Sequence, residues 1–199
     1  VKHNGEGPEL NFNFRELEEG AAYINQFKTD DRPTLLFQPF GGPGPDHQQH
    51  PYSWTRDMHP NQAQEVINKL AERYNIIHLC YEFHPRLQNC HRFDKTVGKK
   101  ALFAMTGNVN KRLFIDSSLQ HAAAALGLKS TVLWIATQPK IFGYKIHNNI
   151  GPKKEYLDGH IDSYLFDYNF TGTIYECPYK SIEELHDVDA IVKAVDQQA

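Results

Sequence analysis

A short polar turn between two apolar runs is the segment best suited to bind an anion. Asp116, Ser117 and Ser118 follow a buried-strand pattern at residues 113–115 and precede LQHAAAALGL, which has high helix propensity and contains a glycine near its end. The first amides of a helix have no intrahelical acceptor, and the helix dipole adds partial positive charge there. Such a turn suits a phosphate. His121 is expected to reach the same mouth and donate a hydrogen bond to a phosphate oxygen.

The simpler alternative is that one serine only caps the helix and that His121 is an ordinary half-buried histidine. Both alternatives remain open from the sequence of this turn alone.

Two other segments are expected to lie beside this turn. Gly41 and Gly42 follow an apolar run at residues 34–38 and begin a long loop, residues 39–54, rich in proline and glycine. Either glycine can adopt positive φ or let a ligand approach the backbone. Arg56 would supply the bidentate cation that a diphosphate needs, unless it is a solvated surface arginine. Because loops after parallel strands open on one edge of a sheet, these segments are predicted to face one crevice.

The elements that position these residues follow a strand–helix alternation. Buried strands are predicted at residues 34–38, 76–80, 113–115 and 131–135, and helices at residues 14–27, from 59 to about 74, within 98–107 and after Ser118. This order predicts an α/β fold, a Rossmann-like parallel sheet with helices on both faces. Residues 1–32 are interpreted as a lead-in segment and helix, and residues 33–199 as the Rossmann-like domain.

The end of the chain is less regular. Residues 139–154 are interpreted as a loop at the sheet edge, and residues 161–168 and 172–177 as short extended segments. A capping box of Ser181 and Glu184 predicts the start of a closing carboxyl-terminal helix.

Composition excludes several classes of protein. The chain has 199 residues, 40% of them hydrophobic, and a formal net charge of -3, which gives no basic excess for nucleic-acid binding. No apolar stretch is long enough for a transmembrane segment, and a cytoplasmic location is expected. The cysteines, Cys80, Cys90 and Cys177, are odd in number and widely spaced, which is typical of reduced thiols. The first residue is Val, so the chain is compatible with a piece of a longer protein.

Other site chemistries find little support. His47, His50 and His59 lie in or beside the long loop without a further ligand at zinc spacing, so no metal is expected. The sequence contains no GxSxG, GxGxxG or GxxxxGK[ST] motif, which argues against a hydrolase elbow, a dinucleotide fingerprint and a P-loop.

Several motifs, taken in order, resemble one family. PFGG after the first strand, SWTR before a helix, the strand IIHL and the segment LFIDSSLQHAAAALGLKSTVLWIATQP are similar to the carboxyl-terminal half of heptosyltransferase-type glycosyltransferases of family nine. The resemblance covers about residues 33–150. Two departures stand out: Ser118 replaces the family's usual glycine, and Trp54 precedes Arg56 where the family has the cation first.

The resemblance implies the carboxyl-terminal domain of a GT-B glycosyltransferase, which would bind a nucleotide-diphosphate-sugar donor without a cofactor. Ser117, Ser118 and His121 would hold the diphosphate, and Asp116 would order the turn or touch the sugar. The remaining candidates, lining the pocket or contacting phosphate, are Gly41, Gly42 and Arg56.

The catalytic base is not identified, because in this family it belongs to an amino-terminal domain that also binds the acceptor. That acceptor would be a glycan, a lipid-linked molecule or a protein. Contacts to the nucleobase and ribose are sought in residues 81–92, where Glu82 is either a contact of the ribose hydroxyls or, as the simpler alternative, a solvated carboxylate. Two alternatives remain: a non-catalytic module that binds a nucleotide sugar or phosphate, and a nucleotide-sugar epimerase.

Overall fold

The computed structural model describes residues 7–42, 54–156, 179 and 181–198. The strands in this part of the chain are β1 (Thr34–Gln38), β2 (Asn75–Leu79), β3 (His91–Phe93), β4 (Lys111–Ile115), β5 (Thr131–Leu133) and β6 (Asn148–Ile150). The α-helices are α1 (Phe14–Asn25), α2 (Pro60–Leu70), α3 (Lys99–Gly107), α4 (Ser118–Ala125), α5 (Pro139–Phe142) and α6 (Val188–Asp196). Short 3-10 turns lie at Lys154–Tyr156 and Ile182–Glu184.

The six strands form one parallel sheet in the order β3-β2-β1-β4-β5-β6. Strand β1 is central, and its Leu36 pairs with Ile77 of β2 on one side and Arg112 of β4 on the other. The chain runs outward from β1 to β3, returns to β4, and then runs outward in the opposite direction. In open parallel sheets, ligands bind at the carboxyl ends of the strands where the order reverses in this way.

Helices cover both faces of the sheet. On one face, α2 and α6 bury apolar side chains against β1, β4 and β5; on the other, α1, α3 and α4 do so against β1, β2 and β4. Burial on both faces accounts for the unbroken apolar runs of the central strands. The predicted fold class, a Rossmann-like α/β sheet with helices on both faces, is confirmed.

Local chemistry fixes where the first helix begins and how it packs. Asn13 caps α1, and its side chain and that of Glu16 each accept the other's backbone N–H at 2.9 Å. Helix α1 packs on α3 at Gly20, where a side-chain methyl group would come within 2.7 Å of Ala104 Cβ. The helix predicted as a lead-in therefore belongs to the layer of helices on the sheet.

Three details of secondary structure differ from what the sequence predicts. Residues 81–97, for which no element is predicted, contain β3, and residues 139–154, predicted as a loop, contain α5 and β6. The predicted capping box at Ser181 and Glu184 opens only the 3-10 turn, since the Ser181 side chain makes no capping bond. Leu185 is 1% exposed in a cluster with Ile135, so the chain turns into the core there. Helix α6 begins later, capped by Asp187.

Other features bear on the predicted classes. No helix among the described residues is long and apolar enough to cross a membrane. Cys80 and Cys90 are free, and burial raises the pKa of both thiols to about 11, so neither is an activated nucleophile. Cys177 and the predicted extended segments at residues 161–168 and 172–177 lie outside the described residues.

Candidate functional site

A crevice of about 450 Å³ lies at the carboxyl ends of β1, β2, β3 and β4. This volume falls within the range of about 300–1,000 Å³ that is usual for small-molecule sites. Its lining includes the following predicted site residues: Gly41, Gly42, Arg56, Ser117 and Ser118. The structure therefore brings the loop after β1 and the start of α4 to one cavity at the point where the strand order reverses.

Arg56 is held on the wall of this crevice by the backbone after β1. Its Nη2 donates to the Gly42 carbonyl at 3.3 Å, and its Nε lies 3.7 Å from Asp57 Oδ1. The Asp57 carboxylate is 2% exposed and accepts the Gly41 N–H at 2.8 Å. Arg56 is therefore an oriented cation, and Asp57 offsets part of its charge.

Gly41 and Gly42 differ in how closely other atoms approach their backbone. Among the described glycines, only Gly127 has a positive φ. A side-chain methyl group at Gly41 would come within 2.5 Å of Arg56 Nε, whereas one at Gly42 would lie 3.9 Å from Tyr81 Oη. The close contact at residue 41 is therefore made by the guanidinium group of Arg56, which would have to move if residue 41 had a side chain.

At the start of α4, Ser117 is the N-cap. Its Oγ accepts the Leu119 N–H at 3.3 Å and donates to Gln38 Oε1 at 2.7 Å, which ties the helix to the end of β1. The Gln120 N–H bonds to the Ser117 carbonyl at 3.2 Å. Two of the first amides therefore have acceptors within the protein. Ser118 is exposed and, as the first helical residue, has no intrahelical acceptor for its amide. The predicted anion site therefore has fewer free amides than the sequence suggests, and Ser118 is its remaining candidate.

Asp116 and His121 are not among the lining residues. The His121 Nδ1 atom lies 2.9 Å from Tyr144 Oη, and the two rings pack edge to face. The buried Gln120 amide contacts Asp116 Oδ1 at 3.4 Å and donates to the Phe142 carbonyl at 3.1 Å. In this structure these side chains connect α4 to the segment after β5, and their contact with a diphosphate stays a prediction.

Several lining residues were missed from the sequence because they follow β2 and β3. Lys95, an exposed cation, has one hydrogen bond to the described residues, a long one of 3.4 Å to Gln26 Oε1. Asp94 pairs with Arg92 Nε at 2.8 Å, and this hydrogen bond lowers the pKa of its carboxyl. Glu82, one candidate for the ribose contact, does not line the crevice. Their position directly after a strand could have identified Asp94 and Lys95, since residues that follow parallel strands lie at the ligand-binding edge of the sheet.

His84 joins two walls of the crevice. Its Nδ1 accepts the Tyr81 N–H at 3.0 Å, and its ring also makes a hydrogen bond with the backbone of Gly41. Burial lowers the pKa of His84 to about 4, and the positive charge of Arg92 adds to this effect. The ring is therefore neutral near pH 7, which Nδ1 requires in order to accept a hydrogen bond.

No group of three potential metal ligands occurs among the residues that the structure describes. His59 serves as the N-cap of α2, accepting the Asn61 N–H. His47 and His50 lie outside the described ranges.

Comparisons with known proteins identify the fold. No protein-family profile matches the sequence, and no curated protein matches it. A solved glycosyl transferase of family 9 from Veillonella parvula DSM 2008 is 13% identical with a TM-score of 0.64, over 96% of this chain and 53% of that one. The E. coli ADP-heptose lps heptosyltransferase II is 17% identical with a TM-score of 0.55, over 75% of this chain and 47% of that one.

The chain therefore spans about half the length of the solved structures that it matches. At these identities the likeness establishes the fold. The predicted resemblance to heptosyltransferase-type glycosyltransferases of family nine is confirmed at that level.

Proposed function

We propose that this chain is the donor-binding domain of a glycosyltransferase and that it holds a nucleotide-diphosphate sugar in the crevice beside β1 and β4. One observation carries the proposal: an oriented arginine, Arg56, and the start of α4 at Ser117 and Ser118 line the same cavity where the strand order reverses. The shared fold with a heptosyltransferase and a family 9 glycosyl transferase supports it.

The diphosphate would be bound from two sides. Arg56 would approach from the loop after β1, and the Ser118 amide and hydroxyl from α4, where the helix dipole favours an anion. Gly41 and Gly42 would set the position of the guanidinium group. Asp116 and His121 would support the first turn of α4 through Gln120 and Tyr144.

The same contacts would assist transfer. An acceptor hydroxyl attacks the anomeric carbon of the sugar, and the bond from that carbon to the diphosphate oxygen breaks. The electron pair of that bond leaves with the diphosphate, which gains negative charge. A fixed cation and helix amides aimed at this charge stabilise the transition state.

The general base and the acceptor site would lie elsewhere in the protein. Both solved glycosyltransferases are about twice as long as the matched part. The acceptor class therefore stays open among a glycan, a lipid-linked molecule and a protein.

Isothermal titration with a panel of nucleoside diphosphates and nucleotide sugars tests the binding step. Arg56→Gln is expected to weaken binding of the best ligand by about 1.5–3 kcal/mol, the scale of a hydrogen bond to a charged group. Arg15→Gln, at an exposed position of α1 away from the crevice, is the matched control and should leave the affinity unchanged. If no member of the panel binds the wild-type chain, the proposal is wrong.

Turnover by the natural full-length protein separates the remaining functions. A transferase releases nucleoside diphosphate only as sugar reaches an acceptor or water. An epimerase converts one nucleotide sugar into its isomer without such release. Tight binding without either reaction would favour a non-catalytic module.

A further inference from the structure

An exposed tyrosine forms part of the crevice wall next to the loop after β1. Tyr81 follows β2, is 49% exposed and lines the cavity together with Gly42 and Arg56. Small-molecule sites are lined mainly by apolar and aromatic side chains, which contact the apolar part of the ligand.

The main chain of Tyr81 is fixed on both sides. Its N–H donates to His84 Nδ1 at 3.0 Å, and its carbonyl accepts Arg92 Nη2 at 2.6 Å. Arg92 also donates to the Glu82 carbonyl at 2.9 Å. One arginine and one histidine therefore tie the backbone of this loop to the rest of the domain.

The ring of Tyr81 is fixed as well. Phe83 stacks on it with centroids 5.5 Å apart and planes 5° from parallel, and His84 packs against it edge to face. Tyr81 lines the crevice whereas Phe83 does not, and Tyr81 keeps 49% of its surface exposed beside these two contacts. A side chain held in this way loses little conformational entropy when a ligand stacks on it.

We propose that Tyr81 is the stacking platform for the aromatic base of the nucleotide whose diphosphate lies between Arg56 and Ser118. This inference rests on the proposed function and assigns the base end of the crevice to the loop after β2. Stacking uses the π-face that every nucleobase has, so the contact provides affinity for both purines and pyrimidines.

Paired titrations test this assignment. Wild-type chain, Tyr81→Ala and Tyr81→Phe are each titrated with ADP, with UDP and with inorganic pyrophosphate. We expect Tyr81→Ala to reduce the affinity for ADP and for UDP about 10- to 100-fold, the scale of losing one base–aromatic stack. Pyrophosphate should bind to the wild-type chain and to both variants with the same affinity. Tyr81→Phe should keep nucleotide affinity because the ring remains. Phe14→Ala, at a 75% exposed ring on α1, is the control and should change nothing.

The outcomes separate the two proposals. If pyrophosphate and ADP bind the wild-type chain and Tyr81→Ala weakens both equally, the ring acts on the phosphate site and the stacking proposal is overturned. If Tyr81→Ala leaves ADP affinity intact, the proposal is overturned while the proposed function stands. If the wild-type chain binds neither ligand, both fail.

A spectroscopic readout is independent of affinity. In Tyr81→Trp the indole replaces the phenol on the crevice wall, and saturating ADP should quench its emission while saturating pyrophosphate should not. Equal quenching by both ligands would contradict base stacking at this position.

Discussion

The backbone of Gly41 lies beneath the guanidinium group of Arg56, so close that a methyl group there would come within 2.5 Å of Nε. The Gly41 amide donates to Asp57, the carboxylate beside Arg56, and the Gly42 carbonyl accepts from the same guanidinium group. These backbone and side-chain contacts together hold the Arg56 cation at the wall of the crevice. The position of Arg56 depends on the absence of a side chain at residue 41.

Gly41→Ala is therefore expected to displace Arg56 from the crevice wall. Nucleoside diphosphate affinity should fall by about 1.5–3 kcal/mol, as for loss of a charge-assisted hydrogen bond, measured by isothermal titration. Gly151→Ala is the control, because a methyl group at Gly151 would meet no atom within 4 Å. Unchanged affinity in Gly41→Ala would mean that Arg56 does not contact the ligand from its present position.

Substitutions of Ser117 and Ser118 should have different effects, the first on stability and the second on diphosphate binding. Ser117→Ala removes the cap on the Leu119 amide and the bond to Gln38, so the free energy of unfolding should fall by about 1 kcal/mol in urea titrations. Ser118→Ala, at an exposed position, should change it by less than about 0.5 kcal/mol. Ser118→Ala should instead weaken diphosphate binding. Equal stabilities of the two variants would argue against the capping role of Ser117.

His121→Ala is expected to reduce nucleoside diphosphate affinity less than about threefold, because Tyr144 engages the ring away from the lining of the crevice. It should lower stability by about 1 kcal/mol for the lost hydrogen bond. Tyr144→Phe removes only the hydroxyl partner and should reproduce that loss. If His121→Ala costs more than tenfold in affinity and Tyr144→Phe costs none, His121 contacts phosphate, as the sequence predicts.

Stability should fall in mild acid because of three buried histidines. Burial lowers the pKa of His78 to about 3 and that of His84 and His186 to about 4, against about 6.5 in an unfolded chain. Between about pH 6.5 and pH 4 the unfolded chain therefore binds protons that the folded chain does not. The free energy of unfolding should decrease as pH falls through this window, by up to about 1.4 kcal/mol per pH unit for each histidine.

His78→Leu tests this expectation most directly. The His78 ring lies near Phe37 and Phe40, and its Nε2 has no hydrogen-bond partner among the described residues. In this variant the free energy of unfolding should depend less steeply on pH, by up to about 1.4 kcal/mol per pH unit. Urea unfolding from pH 7 to about pH 4.5 measures this slope. A slope that does not change would show that this ring accepts a proton in the folded state.

The centre of the sheet could be predicted from the sequence, whereas its edges could not. Because β1 is buried on both faces, its sequence is a continuous run, TLLF, whose ends are easy to recognise. β3 and β6 are edge strands of three residues, HRF and NNI, in which every side chain except that of Phe93 is partly or fully exposed. Short strands with polar side chains are typical of edges and give little periodic signal. Missing β3 also hid Asp94 and Lys95, which line the crevice after it.

At the site, sequence order predicted which segments meet but not how the side chains point. Ser117 and Ser118 were placed correctly at the crevice, because a strand followed by capping residues fixes a helix start. The orientation of His121 depends on Tyr144, which lies 23 residues later in the chain. That partner follows from tertiary packing around β6, which no local pattern predicts.

The position of β1 in the sheet sets an order of events during synthesis. Leu35 of β1 pairs with Ile76 and with Lys111, which lie 41 and 76 positions later in the chain. Strand β1 therefore leaves the ribosome before β4 and stays without this second neighbour until β4 has been made. Pairing over such distances is slow, and an unpaired apolar strand invites association with other chains. Newly made chains should therefore be most prone to association with other chains until β4 has left the exit tunnel.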